Sequence, residues 1–412
     1  MHDRHLYAKI LGIEPPWNVT SVTLDREQRT VRVTLAVKKR KKLPCPKCSR
    51  PSARYDTRTR RWRHLDTCQY QTILSASVPR VNCREHGVLQ VVVPWAEPGS
   101  QFTALFEALA IDWLREASIS AVADILGLSW DEADGILQRA VTRGLERREA
   151  ALPARISVDE KAFGHGQDYV TIVSDQREGT VLHVADERTQ RSLDGFYQQF
   201  DEEQRAQVEC VAMDMWQPYI ASTEANIPDG AAKIAFDKFH IAKHLGDAVD
   251  KVRRAENKQL VKEGNDELQG TRYLWLTNPD HLSAERWNGE FKALRKSKLR
   301  TARAWALKEF AMSLWFYQTR GWADKAWKAW YSWAIRSRLE PIKRVAKMIK
   351  RHWEGVINAV ITKVTNAGAE GINSAIQWIK STARGFRNRR RFKNAIYFHL
   401  GGLKLYPTGI ER

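Results

Sequence analysis

Between residues 151 and 257 apolar runs of strand length alternate with helical stretches, and that order restricts the fold more than any other feature of the chain. Residues 155–163, 169–174 and 180–185 have strand character, with the polar stretch 175–179 as a turn. A helix over 192–207, a strand over 208–213, a helix over 219–225, a strand over 233–236 and a long helix from Phe239 complete the order β β β α β α β α. Such an order excludes an all-α or all-β unit and predicts a mixed sheet with helices packed against it.

Two acidic residues occupy telling places in this block. Asp159 lies in the first strand among Ile156, Val158 and Phe163, and Asp214 follows Val211, Ala212 and Met213 at the carboxyl end of the fourth. Taken alone, an aspartate after an apolar strand is usually a turn residue or a helix cap. In an RNase H-like sheet, however, the first and fourth strands are neighbours, which sets the two side by side. A third carboxylate then has to come from a helix that crosses the sheet. Glu370 fits: with Asn373, Gln377, Lys380 and Arg384 it forms one polar helical stripe, opposite Ile372, Ile376 and Ile379. Carboxylates converging from separate elements are what two Mg²⁺ ions need to cut a phosphodiester, and Mn²⁺ is an acceptable substitute.

Upstream, residues 1–95 read as a small β module. Polar and apolar residues alternate from about 17 to 37, a hairpin turning near 25–28, and a basic run over 38–42 leads out of it. Cys45-Pro46-Lys47-Cys48 and Cys83-Arg84-Glu85-His86 follow, a C-x2-C and C-x2-H set suited to one structural, tetrahedral Zn²⁺ held by Cys45, Cys48, Cys83 and His86. Cys68 is a spare that is able to replace His86, and Cys210 reads as a core residue of the fourth strand. Residues 96–150 then turn helical. A short helix over 120–126 ends at Gly127, and Ser129 with Glu132 forms a capping pair for the next, the pattern of a helix-turn-helix DNA-binding domain. A packing or dimerisation trihelix is the alternative, because Asp131 and Asp134 are poor neighbours for phosphates.

The 412 residues carry 67 Lys and Arg against 48 Asp and Glu, a net charge of +19, which favours a polyanionic partner. Double-stranded DNA is the expected one, rather than a small-molecule substrate. Its expected contacts are Lys38, Arg40, Lys41, Arg60, Arg61 and Arg63 in the β module, Ser129, Trp130, Gln138 and Arg139 on the second helix of the helix-turn-helix, and Lys380, Arg384, Arg387 and Arg389 near the C-terminus. Residues 258–352 are helical, basic and rich in tryptophan, a series that reads as packing core rather than base-stacking surface. The first 13 residues lack the apolar core of a signal peptide, and no apolar run reaches membrane-spanning length, so a bacterial cytoplasmic, nucleoid-associated protein is expected.

Several of these stretches together resemble bacterial insertion-sequence transposases of the ISL3 family. They are Trp17-Asn18-Val19, Cys45-Pro46-Lys47-Cys48, Ile156-Ser157-Val158-Asp159-Glu160, Met213-Asp214-Met215-Trp216, Phe236-Asp237-Lys238-Phe239-His240, Glu370-Gly371-Ile372-Asn373 and Ala383-Arg384-Gly385-Phe386. The resemblance implies DDE chemistry with Asp159, Asp214 and Glu370 as metal ligands: hydrolysis at transposon ends, then attack of the freed 3′-hydroxyl on target DNA. Asp237 is the main rival for a ligand position and is assigned a supporting place behind the ligands, with His240 and Asn373. The resemblance also makes 258–352 a helical insertion. The expected fold is then a multidomain α+β chain: zinc module 1–95, helix-turn-helix 96–150, and an RNase H-like α/β catalytic domain in two parts, 151–257 and 353–412, interrupted by the all-α insertion. A homodimer on DNA is expected by analogy, since two terminal inverted repeats must be brought together. The competing readings are a non-catalytic zinc and helix-turn-helix regulator, and a structure-selective nuclease that cleaves without strand transfer.

Overall fold

A computed structural model describes residues 3–37, 42–164, 166, 168–364 and 367–410. Lys38, Arg40 and Lys41 lie outside the described residues. The chain forms two compact units, residues 1–148 with 380–412 and residues 149–379. The second boundary differs from the expected continuous segment 353–412. Phe398, Leu403 and Leu405, from the end of the chain, are buried with Phe106, Ile111, Val122, Ile136 and Val141 of the helix-turn-helix, and this shared apolar core draws the C-terminal segment to the first unit.

In the first unit, β1 (Trp17–Asp25), β2 (Thr30–Val37), β3 (Leu43–Pro44), β4 (Pro51–Thr67), β5 (Tyr70–Cys83) and β6 (Gly87–Gln90) form one sheet in the order β1-β2-β5-β4-β3, with β6 added to β5. The predicted hairpin is β1 and β2, its turn held by the Gln28 N–H donating to Asp25 Oδ1 at 2.9 Å. Alternation buries Val33, Leu35, Leu74 and Val78 on one face, where Trp95 meets Trp17 and Trp62 edge-on at 4.8 and 5.4 Å. Three helices follow, Ala104–Glu116, Ile119–Leu126 and Trp130–Glu146. Each begins with a side-chain cap, Thr103, Ser118 and Ser129, the last in the predicted capping box with Glu132. Gly127 ends the middle helix at φ 61°, a conformation glycine adopts without strain.

In the second unit β7 (Arg155–Ala162), β8 (Tyr169–Asp175), β9 (Val181–Asp186), β10 (Cys210–Met213) and β11 (Ile234–Phe236) form a sheet in the order β11-β10-β7-β8-β9. β7, β8 and β9 run antiparallel, while β10 is parallel to β7 and β11 to β10. All four residues of β10 are buried, as befits a parallel strand covered on both faces. The helix expected over 192–207 is two helices, Gln190–Tyr197 and Glu202–Ala206. Asp201 accepts from the Gln204 N–H and starts the second afresh, a capping signal present in the sequence.

Beyond β11 the described residues from 238 to 364 contain no strand. Trp275, Trp327 and Trp330 are fully buried, and Trp330 Nε1 donates to the Leu307 carbonyl at 2.8 Å, whereas Trp322 is exposed. The helix Trp353–Thr362 lies against β11: Asn358 Nδ2 donates to the carbonyls of Ala232 and Ile234 at 2.8 and 2.9 Å, and Gly355 faces the Phe236 ring too closely for a Cβ.

Candidate active site

Strand register sets the carboxylates. β10 pairs with β7 so that Ala212 opposes Ser157, and two steps on this brings Asp214 level with Asp159. β11 pairs with β10 so that Phe236 opposes Met213, which brings Asp237 level with Asp214. Asp237 also caps the helix Lys238–Lys262, accepting from the Phe239 N–H at 2.9 Å, and the first turn of that helix presents His240. His240 Nε2 stands 2.7 Å from Asp214 Oδ1 and 3.6 Å from Asp237 Oδ2. From the helix Ala367–Thr382, Asn373 Nδ2 donates to Asp159 Oδ2 at 2.6 Å, and Lys161 Nζ donates to the Asn373 carbonyl at 3.2 Å. Glu370 is exposed, one helical turn before Asn373.

The electrostatics are those of crowded acids. Burial, reinforced by the Asp214 charge and opposed by the Asn373 hydrogen bond, raises the pKa of Asp159. Burial and then the Asp214 charge do the same to Glu160, whose Oε2 is buried without a partner among the described residues. A cation beside these groups would restore their ionised forms. Asp214, Asp237 and His240 offer ligand atoms within 4.8 Å of one another, so this end of the sheet fits a divalent ion.

The hydrogen bond to Asp214 raises the His240 pKa. The ionic pairing therefore stabilises fully below the unfolded value of about 6.5 and is lost as pH rises through the higher folded value. His240→Gln, measured without metal, is expected to lower the melting temperature more at pH 6 than at pH 8.5. An equal loss at both would show that the pairing is not ionic.

In the other unit Cys45, Cys48, Cys83 and His86 bring four ligand atoms within 4.8 Å of one another, as the spacing predicted for structural zinc. Cys45 Sγ and Cys83 Sγ lie 3.9 and 3.7 Å from His86 Nδ1, and Cys48 Sγ lies 3.7 Å from Cys83 Sγ. Backbone N–H groups of Glu85 and His86, with the His86 ring, pull the Cys83 thiol down to about 6, toward the thiolate that zinc binds. Cys68 is exposed in the turn between β4 and β5, outside this set. Cys210 is buried on β10, its thiol pushed up to about 11 by burial.

Three of the residues expected to contact DNA also make contacts within the protein. Arg63 Nη1 donates to the His64 carbonyl at 2.7 Å and its guanidinium lies over Phe106. Gln138 Nε2 donates to Asp134 at 2.6 Å. Arg139 pairs at 2.7 Å with Glu107, a nearly fully buried carboxylate that Arg143 also meets at 2.9 Å, and such a charge needs its partners. Arg60, Arg61, Arg384 and Arg387 are exposed; Arg389 is half-buried, and Lys380 Nζ lies 5.9 Å from the Phe392 ring centroid. Ser129 is engaged with Glu132. Trp130 lies under the guanidinium of Arg391, which also pairs with Asp134 and Asp131 at 3.0 and 3.3 Å. Arg391 thus offsets part of the charge of the two aspartates at the start of that helix.

Comparison with known proteins finds the same three kinds of domain in the same order. The zinc-finger of the IS204/IS1001/IS1096/IS1165 transposases matches residues 41–86 and the helix-turn-helix domain of transposase family ISL3 matches residues 91–141. The DDE transposase profile of the same family matches residues 156–396, more than half of the chain. The transposase for insertion sequence element IS1557 of Mycobacterium tuberculosis is 28% identical across 94% of this chain and 93% of its own length. The transposase for insertion sequence element IS1001 of Bordetella parapertussis is 25% identical across 84% and 86%. The chain belongs to the ISL3 family: it is a DDE transposase, an enzyme that cleaves DNA and joins the cut strand to a new position.

Proposed function

We propose that Asp159, Asp214 and Glu370 are the carboxylate trio of this transposase and that they act with two Mg²⁺, on an RNase H-like domain interrupted by the helical segment 258–352. The observation that carries the reading is the Asn373 hydrogen bond to Asp159, because Asn373 and Glu370 lie one turn apart on the same helix. The sheet order β11-β10-β7-β8-β9, with β7, β8 and β9 antiparallel and β10 and β11 parallel to β7, supports the RNase H-like assignment. Bound there, the ions would activate the attacking oxygen and stabilise the leaving one. Asn373 orients the Asp159 carboxylate, and His240 does the same for Asp214. The substrates in this reading are the terminal inverted repeats of an insertion sequence and a target duplex, gripped by a homodimer. No described helix is long and apolar enough to cross a membrane, which suits a bacterial cytoplasmic, nucleoid-associated enzyme. Of the expected DNA contacts, Arg60, Arg61, Trp130, Arg384, Arg387 and Arg389 are retained.

A second reading makes Asp237 the third ligand, favoured by its place with Asp214 and His240 in one cluster. The two part in a cleavage assay on DNA carrying the element's end. Glu370→Gln is expected to lose cleavage by about a thousandfold or more, the several kcal/mol that a metal centre supplies, while Asp237→Asn keeps a measurable fraction. The reverse ranking would transfer the third position to Asp237.

A further inference from the structure

Arg188 stands out among the cations of the second unit because everything around it fixes its position. The preceding Glu187 donates its N–H to the Tyr169 carbonyl at 2.9 Å and accepts at its own carbonyl from Thr171 Oγ1 at 2.6 Å, which ties this segment to β8. Trp216 Nε1 donates to the Arg188 carbonyl at 3.0 Å. The guanidinium carbon lies over two rings, 4.4 Å from the centroid of Tyr169 and 4.4 Å from that of Trp216. Nη1 reaches Glu160 Oε1 at 3.3 Å. The remaining N–H groups meet no hydrogen-bond partner among the described residues, and a quarter of the side chain is open to solvent.

This fixed cation borders the carboxylates. Glu160 follows Asp159 in β7, and Trp216 is two residues beyond Asp214. The charges of Asp214 and Asp159 raise the Glu160 pKa and that of Arg188 opposes them, all beneath the larger effect of burial. The metal ions offset Asp159, Asp214 and their neighbours Glu160 and Asp237 at the phosphate being cut, whereas the phosphates beside it need a cation of the protein to hold them near this acidic end of the sheet. A guanidinium with a fixed plane and unused donors suits a phosphate oxygen, for which its fork geometry is matched.

We propose that Arg188 binds a non-bridging phosphate oxygen of the DNA strand beside the Asp159–Asp214 pair, with Tyr169 and Trp216 setting its plane and Glu160 its direction. The inference rests on the reading that this pair is where DNA is cut. Arg188 is then a substrate-positioning residue supplied from the loop after β9.

The test uses the full chain and end-containing duplexes that carry one neutral methylphosphonate at successive positions around the cleavage point, in single-turnover cleavage with Mg²⁺. On unmodified DNA, Arg188→Ala is expected to slow cleavage about ten- to hundredfold, the loss of a charge-assisted contact. Wild type should slow at the contacted phosphate when it is neutralised, and Arg188→Ala should show no additional slowing at that one position. Arg188→Lys keeps the charge without the fork and is expected to recover part of both effects; it carries the test if the alanine variant does not fold. Equal methylphosphonate sensitivity at every position in wild type and in the folded variant would overturn the proposal, leaving Arg188 a partner of Glu160 alone. Asp159→Asn run in parallel separates the two claims. Normal cleavage by that variant would refute the location of the chemistry, whereas an inactive Asp159→Asn beside unchanged phosphate sensitivity refutes only Arg188.

Discussion

Asp159→Asn is expected to abolish DNA cleavage and strand transfer, by about a thousandfold or more, while leaving the fold and DNA binding intact. The magnitude is that of removing a ligand from a metal centre that supplies several kcal/mol of transition-state stabilisation. The fold should survive because the amide has the shape of the carboxylate and its oxygen still accepts from Asn373 Nδ2, at the cost of the Glu160 N–H bond that the second carboxylate oxygen accepts at 2.8 Å. Without metal the variant should rank higher against wild type near neutral pH than in acid. Burial raises the Asp159 pKa, so the folded state holds that proton more tightly than the unfolded chain, and wild-type stability falls as pH rises from the unfolded to the folded value. The amide has no such proton to lose. Adding Mg²⁺ should stabilise wild type more than the variant. Melting curves at pH 4 and 8, with and without Mg²⁺, and a cleavage assay check each part; cleavage within tenfold of wild type would remove Asp159 from the chemistry.

Removing zinc is expected to have the largest structural effect, and a local one. Structural Zn²⁺ binds zinc-finger peptides with an apparent ~10–16 kcal/mol, comparable to the whole stability of a domain. The four ligands tie β3, the start of β4, the end of β5 and β6, where few large apolar residues are available. The far half of the same sheet has its own core, Trp17, Val33, Leu35, Trp62, Leu74 and Trp95. Chelation, or Cys83→Ser, should therefore raise amide hydrogen exchange over 43–56 and 80–90 and leave β1, β2 and the region around Trp62 protected. Because the Cys83 thiol titrates near 6, zinc should also be released more readily as the solution is acidified below that value. Exchange that is unchanged by chelation would mean that no metal holds this end of the sheet.

What was legible in the sequence was mostly local. Ser129 and Glu132 announced a helix start because a capping box spans three residues and its hydrogen bonds need no distant partner. Cys45, Cys48, Cys83 and His86 were legible because metal geometry demands paired ligands at short spacing. Asp159 and Asp214 required one further step, the neighbouring of the first and fourth strands, which the register of β7 and β10 bears out. The restart of a helix at Asp201 was written in Asp201 and Gln204 and was read through as one helix.

The remainder was decided by partners remote in the chain. Gln138 and Arg139 look like groove-reading residues on the second helix of the helix-turn-helix, yet Asp134 and Glu107 engage them; for Arg139 the reason is that a buried carboxylate takes the nearest cations. Arg391 looks like one more member of a solvated basic run, yet it covers Trp130 and pairs with Asp131 and Asp134 from more than 250 residues away. Arg188 carried no signal at all, since only the packing of Tyr169 and Trp216 distinguishes it from any exposed arginine. The sequence by itself determined the succession of strands in the second unit, the set of three cysteines and a histidine that the fold gathers, and the two strand-borne aspartates, because period, capping and ligand spacing act over a few residues. Only the tertiary structure decided which cations pair with carboxylates of the protein and where the chain after Ile379 packs, because those outcomes depend on which charges and apolar faces meet once the chain has folded.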